Sequence, residues 1–127
     1  MKTVENILIV EDEAIIGLEL KLELESHGFK TCRLASSSEK AIALAREETP
    51  DLLIMDVSLA RGRDGIETAS QIRAQQDIPL IIVTGYPDAE QEPAVTGLRP
   101  LKIFIKPLSV TELVDFIRQQ EADVSPA

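Results

Sequence analysis

The sequence is poor in aromatic residues and contains a single cysteine and a single histidine. Aromatic residues make up 3% of the 127 residues, which is too few to form a platform on which nucleic-acid bases could stack. Cys32 has no second cysteine in the chain, which excludes an internal disulfide and indicates a reducing compartment. We interpret Cys32 as a small apolar core residue. His27 precedes Gly28, so we interpret it as a helix-end residue and not as a catalytic base.

Basic residues and long apolar runs are also scarce. Thirteen lysines and arginines face 22 acidic residues, for a net charge of −9. This balance argues against direct DNA binding, because a phosphate backbone requires a basic face. The first apolar stretch is short and ends in acids, so it does not predict a signal peptide, and no run is long enough to span a membrane. We therefore expect a cytoplasmic chain without membrane contact.

What is present is an alternation of short apolar runs with segments of helical composition. The runs lie at residues 6–11, 29–34, 51–56, 79–84 and 102–106. Most are continuously apolar, which is typical of strands covered on both faces, and the alternation predicts a parallel sheet between layers of helices. The length suits a single domain over residues 1–127. We expect a core from about residue 5 to residue 121 and a frayed tail over residues 122–127.

The segment "GLELKLELES" at residues 17–26 is ambiguous. Its leucines alternate with charged residues, which is the period of a strand, but strong helix formers and the lack of β-branched residues favour a helix. In a helix, one face carries Ala14, Ile15, Leu18 and Leu22. A second stripe carries Ile16, Leu20 and Leu24, and we expect it to pack on a neighbouring helix or to contact another chain.

Polar residues follow four of the five predicted strands. Glu11 and Asp12 end the first strand, Asp56 the third, Thr84 the fourth and Lys106 the fifth. The carboxyl ends of parallel strands share one edge of a sheet, so these groups are expected to converge there. Crowded carboxylates favour a hard cation such as Mg²⁺. Asp56 is a candidate nucleophile for phosphoryl transfer, with Lys106 and Thr84 as groups that would bind phosphoryl oxygens.

These motifs, namely "LIVEDE", "LLIMDVSL" followed by "RDG", "IIVTGY" and "FIKPL", occur in the order found in one protein family. Over residues 5–121 the chain resembles the response-regulator receiver domains of two-component signalling. The resemblance implies the flavodoxin-like (βα)5 fold, with a five-stranded parallel sheet of order 2-1-3-4-5. It also implies an Mg²⁺ site in which Asp12, Asp56 and the backbone carbonyl of Ser58 touch the metal and Glu11 acts through water.

The same resemblance implies a role for each remaining site residue. Asp56 would be the phospho-acceptor, while Thr84 and Lys106 would match the hydroxyl and the lysine of the family. The bond between Lys106 and Pro107 is often cis in such domains. The phosphodonor would be a histidine kinase or a histidine phosphotransfer protein, and the output would be binding to a downstream protein target, with a homodimer as a further possibility.

The chain departs from the usual family pattern on its fifth strand and after its fourth. Ile103 stands where typical receivers carry an aromatic switch residue, and Phe104 is expected to face the opposite side of the sheet. Tyr86 follows Thr84 and Gly85, as in a subgroup of mostly single-domain receivers. Our hypothesis is that Tyr86 gates the phosphorylation site or reports its state, against the alternative of a loop tyrosine that covers apolar surface.

Two loop segments are also unusual. Pro93 lies within residues 87–102, where the fourth helix is expected, so that helix is predicted to be very short or to run from about Pro93 to a point before Gly97. The loop after the third strand contains Arg61 and Arg63, which are interpreted as solvated residues or, alternatively, as contacts for a phosphodonor.

The sequence therefore predicts a phospho-acceptor domain that signals by protein binding. An alternative is an interaction module that keeps the fold but works without phosphorylation. The chain could also be a receiver fragment of a larger hybrid kinase or regulator. Enzymatic activity beyond its own phosphorylation and dephosphorylation is not expected. A small-molecule enzyme of similar fold is disfavoured, because a glycine-rich phosphate loop is missing from the sequence.

Overall fold

Five parallel strands form one sheet of order β2-β1-β3-β4-β5. The structure is a computed structural model that describes residues 1–57, 64–74 and 76–122. The strands are β1 (Asn6–Val10), β2 (Thr31–Ala35), β3 (Leu52–Asp56), β4 (Leu80–Thr84) and β5 (Lys102–Ile105). This confirms the sheet predicted from the alternating pattern, although β2 begins two residues later than the apolar run at residues 29–34.

The sheet is buried on both faces, as the continuous apolar runs predict. Every residue of β1 and β4 is buried, because helices cover both sides of a parallel sheet. Adjacent residues of a strand point to opposite faces, so Leu8 and Met55 belong to one core cluster while Ile9 and Ile54 belong to the other. The two cores fix the strand register and hence the position of each strand end.

Within the described residues, five helices flank the sheet, and two of their ends, the end of the first helix and the start of the second, have recognisable caps. The helices are α1 (Ala14–Ser26), α2 (Ser38–Glu47), α3 (Asp64–Arg73), α4 (Pro93–Thr96) and α5 (Val110–Ala122). Ser37 caps α2 by accepting a hydrogen bond from the backbone N–H of Lys40 at 3.2 Å. Gly28 ends α1 with a φ of 96°, a conformation in the left-handed region that glycine adopts without strain.

The helical interpretation of α1 is confirmed, and two residues of its second stripe join the core cluster that also contains residues of α5. Leu24, from the second stripe, is fully buried, and Leu20 packs against the same core cluster. Ile15, Leu18 and Leu22, from the first face, are exposed to solvent. Leucines alternate with charged residues in α1, so apolar side chains occur on most sides of the helix and their spacing does not identify the buried face.

Two leucines on α1 provide a matched test of this assignment. Replacing the buried Leu24 with alanine is expected to lower the free energy of unfolding by about 2–5 kcal/mol, because apolar contacts are lost and a cavity is left. Replacing the exposed Leu22 is expected to change it by less than about 0.5 kcal/mol. Urea titrations followed by circular dichroism measure both. Equal losses for the two variants would show that the faces of α1 are assigned wrongly.

The fourth helix is a single turn, as Pro93 predicts. It spans only Pro93–Thr96, after a 3-10 turn at Ala89–Gln91. Leu101, which directly precedes β5, and Ile105 at the end of β5 are both exposed. Ile103 packs in the core cluster on one face of the sheet and Phe104 in the cluster on the other, which confirms their predicted opposition.

The last helix extends by one residue into the tail predicted to fray over residues 122–127. Helix α5 continues through Glu121 and Ala122, and the carboxylate of Glu121 accepts a hydrogen bond from the backbone N–H of Val4 at 2.6 Å. This contact ties the end of α5 to the N-terminal segment. The rest of the predicted tail, residues 123–127, lies outside the described residues.

Two further observations bear on the expectations from composition. Cys32 is buried, and this burial, followed by the nearby charge of Glu25, raises the pKa of its thiol to about 11. A thiol that stays protonated at neutral pH is a poor nucleophile, which agrees with its interpretation as a core residue. Over the parts of the chain that the structure describes, no helix is both long and apolar enough to cross a bilayer.

Candidate phosphorylation and metal site

The acidic site lies at the carboxyl edge of the sheet, where neighbouring strands end together. Glu11 directly follows β1, and Asp56 is the last residue of the adjacent strand β3. Carboxylate oxygens of Glu11, Asp12 and Asp56 all lie within 4.8 Å of one another. The structure thus brings together the three acids that the sequence placed at two separate strand ends.

Lys106, which directly follows β5, lies beside this acidic cluster. Its ammonium lies 3.0 Å from Oδ1 of Asp56 and 3.8 Å from Oε2 of Glu11. Burial on its own would lower the pKa of Lys106, but the hydrogen bond and the negative charge of Asp56 outweigh it, so the pKa is raised. Lys106 is therefore a permanent positive charge beside Asp56. The peptide bond from Lys106 to Pro107 is cis, as the family resemblance implied.

Glu11 is the most buried acid of the site. Its carboxylate accepts a hydrogen bond from the backbone N–H of Glu13 at 3.1 Å. Burial and then repulsion by Asp56 raise the pKa of Glu11 to about 7, against the opposing effects of that hydrogen bond and of Lys106. Without a cation, protonated and ionised Glu11 are therefore both populated near pH 7, mainly because burial disfavours the ionised form.

Thr84 and Tyr86 are linked through the backbone. Thr84 is buried at the end of β4, next to β3 and β5 in the sheet. Its hydroxyl oxygen accepts a hydrogen bond from the backbone N–H of Tyr86 at 3.2 Å. The tyrosine side chain itself is 42% exposed. The loop conformation after β4 thus depends on the position of the Thr84 hydroxyl.

Not every predicted site residue can be placed. Ser58, whose backbone carbonyl was expected to touch the metal, and the loop residues Arg61 and Arg63 lie outside the described residues.

Gly65, in the first turn of α3, lies close to the site. A β-carbon on Gly65 would lie 3.2 Å from the backbone oxygen of Asp56. The absence of a side chain at Gly65 therefore lets the first turn of α3 approach Asp56, and the glycine of the "RDG" motif is the sequence signal for this contact.

A cavity beside the cluster was not anticipated from the sequence. It has a volume of about 240 Å³ and lies between α1 and the segment that leads from β5 into α5. Apolar side chains dominate its wall, including Ile16, Leu20 and Leu108, while Asp56 and Lys106 border it. The residues from α1 could not be recognised as cavity residues, because the alternating pattern hides which face of that helix is buried.

The donor set fits a hard divalent cation. All three residues of the cluster are carboxylates, and carboxylate oxygens are the ligands that Mg²⁺ prefers over nitrogen or sulfur. After burial, the negative charge of Asp56 is a further cause that raises the pKa of Glu11. A bound cation would offset this negative charge, so the residues present are compatible with an Mg²⁺ site.

Comparison with known proteins assigns the family. The family model described as the response regulator receiver domain matches residues 7–118, which include every acid of the cluster and Lys106. The chain is a response-regulator receiver domain. Receiver domains of this family belong to two-component systems, and the flavodoxin-like fold expected from the sequence is the fold observed here.

Curated relatives of this receiver domain include two bacterial regulators. It is 32% identical over 111 residues to the transcriptional regulatory protein PdtaR of Mycobacterium tuberculosis, an alignment that covers 87% of this chain and 54% of the relative. It is also 32% identical over 100 residues to the phyllosphere-induced regulator PhyR of Methylorubrum extorquens, covering 78% of this chain and 36% of the relative. The receiver domain thus spans about half or less of these relatives.

Solved structures show the same fold. The receiver domain of a modulated diguanylate cyclase from Desulfovibrio desulfuricans is 28% identical, with a TM-score of 0.80 over 94% of this chain and 95% of that one. A CheY-like receiver domain protein from Methanospirillum hungatei has a TM-score of 0.81 over 95% of this chain and 96% of that one, at 22% identity. The second likeness concerns the fold alone.

Proposed function

We propose that Asp56 accepts a phosphoryl group from a histidine kinase or a histidine phosphotransfer protein in an Mg²⁺-dependent reaction. The observation that carries this proposal is the cluster of three carboxylates with the Lys106 ammonium 3.0 Å from Asp56. This arrangement offers a nucleophile, oxygen ligands for a cation and a positive charge within one small volume. Positioning and charge neutralisation are what phosphoryl transfer requires of a protein.

Each residue has a specific task in the proposed reaction. A carboxylate oxygen of Asp56 forms the new bond to phosphorus, while the bond from phosphorus to the donor breaks and the donor leaves with the electron pair. Lys106 is close enough to move from the Asp56 carboxylate to a phosphoryl oxygen. Thr84 would donate its hydroxyl proton to a second phosphoryl oxygen. The rigid, buried strand β3 keeps Asp56 in place throughout.

Glu11, Asp12 and Asp56 would hold Mg²⁺, together with the backbone carbonyl of Ser58. The cation would offset negative charge on the transferring phosphoryl group. Asp12 and Asp56 would contact it directly and Glu11 through water. The burial of Glu11 supports this indirect role, since its Oε1 already accepts the hydrogen bond from Glu13.

Phosphorylation would change the binding of a downstream protein target, and residues 1–127 would act as one receiver unit. The partners would be cytoplasmic proteins, and the net charge of −9 argues against direct DNA contact. We also propose that the receiver domain can form a homodimer. An interaction module that works without phosphorylation is the alternative, but it gives no reason for Lys106 to lie beside Asp56.

The direct test is phosphorylation by acetyl phosphate, with and without Mg²⁺. We expect one phosphoryl group per chain when Mg²⁺ is present and none when it is chelated, because the three carboxylates need a cation before they can accept an anionic donor. Intact mass measures the product, and calorimetry measures Mg²⁺ binding separately. Binding of neither phosphate nor Mg²⁺ would favour the phosphorylation-independent module.

Tyr86 is proposed to report the state of this site. If the Thr84 hydroxyl turns toward a phosphoryl group, its hydrogen bond with the Tyr86 backbone changes and the tyrosine must move. The native protein should therefore show a change in tyrosine fluorescence on phosphorylation, since Tyr86 is the only tyrosine. Thr84→Ala should lose most of this change. An unchanged fluorescence response in Thr84→Ala would contradict the coupling.

A further inference from the structure

The cavity between α1 and the segment from β5 to α5 extends down to the sheet. Its floor is formed by the buried residues Ile9, Ile54 and Val83 of three neighbouring strands. Ile16 also lines the cavity and is 44% exposed, so the cavity opens to solvent. None of these side chains has a task in the phosphoryl transfer proposed above. The cavity is therefore an open apolar space without an assigned occupant.

The size of the cavity limits the occupant to a small organic group. Its volume is about 240 Å³. An apolar cavity of about 150 Å³ can take up benzene, whereas pockets for drug-sized ligands have about 300–1,000 Å³. One aromatic ring with a short chain therefore fits, and it would contact the half-buried Leu20 and Leu108. Removal of this apolar surface from water would favour binding.

The charges on the cavity lining favour a cation. Glu19 and Glu23 lie one turn apart on α1, and both line the cavity. Both residues are exposed, and neither carboxylate takes part in an ion pair among the residues that the structure describes. Lys106, the basic residue of the described lining, is already paired with Asp56 and lies 3.8 Å from Glu11. A cation would therefore gain two free partners, whereas an anion would meet two uncompensated negative charges.

We propose that this cavity is a binding site for a small organic cation, in which an apolar body such as one aromatic ring carries an ammonium group. The apolar body would lie against Ile54 and Val83, and the ammonium would pair with Glu19 and Glu23. Because Asp56 lines the same cavity, a bound molecule would lie beside the phospho-acceptor and slow its phosphorylation. This last consequence rests on the proposed function, whereas the binding itself depends on the cavity alone.

The probe is phenethylammonium, and its matches are phenethyl alcohol and phenylacetate, which carry a neutral and a negative group on the same ring. We expect the native domain to bind the cation about fivefold more tightly than the alcohol, because the cation alone forms ion pairs, and to bind the anion least. NMR titrations measure the three affinities. Methyl signals of Ile9, Ile54 and Val83 should shift, while those of Ile72, in the core on the other face of the sheet, should not.

Two sets of substitutions separate the charges from the apolar wall. The double variant Glu19→Gln with Glu23→Gln should weaken binding of the cation about fivefold and leave binding of the alcohol unchanged. Glu67→Gln is the matched control and should behave as the native chain, because Glu67 is an exposed residue of α3, which packs on the opposite face of the sheet. Leu108→Ala should weaken binding of the cation and the alcohol alike, about threefold, since it removes apolar contact area.

Equal binding of the three probes, or methyl shifts confined to residues outside the cavity, would overturn the proposal. So would a cation affinity that the double glutamine variant leaves unchanged. In a separate arm, saturating phenethylammonium should slow phosphorylation of the native domain by acetyl phosphate, and an unchanged rate would show that the probe does not lie beside Asp56. A native domain that takes up no phosphoryl group even without the probe would contradict the proposed function, while the NMR titrations would still decide whether the cavity binds the cation.

Discussion

Asp56→Asn is expected to abolish phosphorylation by acetyl phosphate while leaving the fold intact. Asparagine has nearly the shape of aspartate, but its amide cannot act as the carboxylate nucleophile that forms an acyl phosphate. The side chain of Asp56 is mostly buried at the end of β3 and contacts Lys106, so the substitution removes the acceptor without opening a cavity. Intact mass after incubation with Mg²⁺ and acetyl phosphate should show no phosphoryl group.

Asp115→Asn is the matched control for this experiment. Asp115 is an exposed residue of α5, far along the chain from the acidic cluster, so the same chemical change there should leave phosphorylation at the native level. Circular dichroism of both variants tests whether they fold. A phosphoryl group on folded Asp56→Asn protein would contradict Asp56 as the acceptor and would require another nucleophile.

The sequence is informative about the site because parallel sheets place their strand ends together. Four of the five apolar runs end in a polar residue at the same edge, so Asp56 and Lys106 could be paired without knowing any coordinates. The salt bridge between them agrees with that reasoning. The cis peptide bond before Pro107 and the single turn at Pro93 also follow from motifs in the sequence.

The faces of α1 could not be predicted in the same way. A helix shows its buried side through the spacing of apolar residues, but α1 has leucine or isoleucine in nearly every direction. Tertiary packing decides between the faces. A β-carbon on Gly17 would lie 2.5 Å from Cδ1 of Leu34, so this side of α1 must face β2 closely. A glycine amid leucines was the signal in the sequence, although it indicates close packing only once the neighbouring strand is known.

The protonation state of Glu11 also could not be predicted from the sequence. The identity of Glu11 as an acid at a strand end follows from the sequence, but its burial depends on how α1 and the segment after β5 close over it. That burial, more than any neighbouring charge, raises the pKa of Glu11. A residue can therefore be placed correctly at a site while its protonation state remains unknown until the fold is built.

The Mg²⁺-free protein is expected to lose stability as the pH rises from about 5 to 8. The pKa of Glu11 is raised from 4.5 to about 7 in the folded state, so in this interval the folded chain binds more protons than the unfolded chain and stability falls with pH. The stabilisation is fully present below pH 4.5 and is lost as the pH rises through about 7. The loss is on the order of 1–3 kcal/mol, given that one pKa unit corresponds to about 1.4 kcal/mol. Urea titrations across this interval measure it.

Three other groups with shifted pKa values do not interfere in this window. The raised pKa of Cys32 matters only above its ordinary value of 9.0. Backbone hydrogen bonds from Glu5 and Asn6 lower the pKa of Asp51 in spite of its burial, so its contribution is lost only at more acidic pH. The raised pKa of Lys106 matters only above its ordinary value of 10.5. The slope between pH 5 and 8 can therefore be assigned to Glu11 by substitution.

Glu11→Gln should flatten the slope, whereas Glu23→Gln, the same change at an exposed position of α1, should keep it. Saturating Mg²⁺ should reverse the slope in the native protein, because the cation binds the ionised carboxylates and competes with protons. A slope in Glu11→Gln equal to that of the native chain would show that Glu11 does not hold the proton. A native slope unaffected by Mg²⁺ would show that the cation does not bind at this cluster, because ligand ionisation and metal binding at one site must be linked.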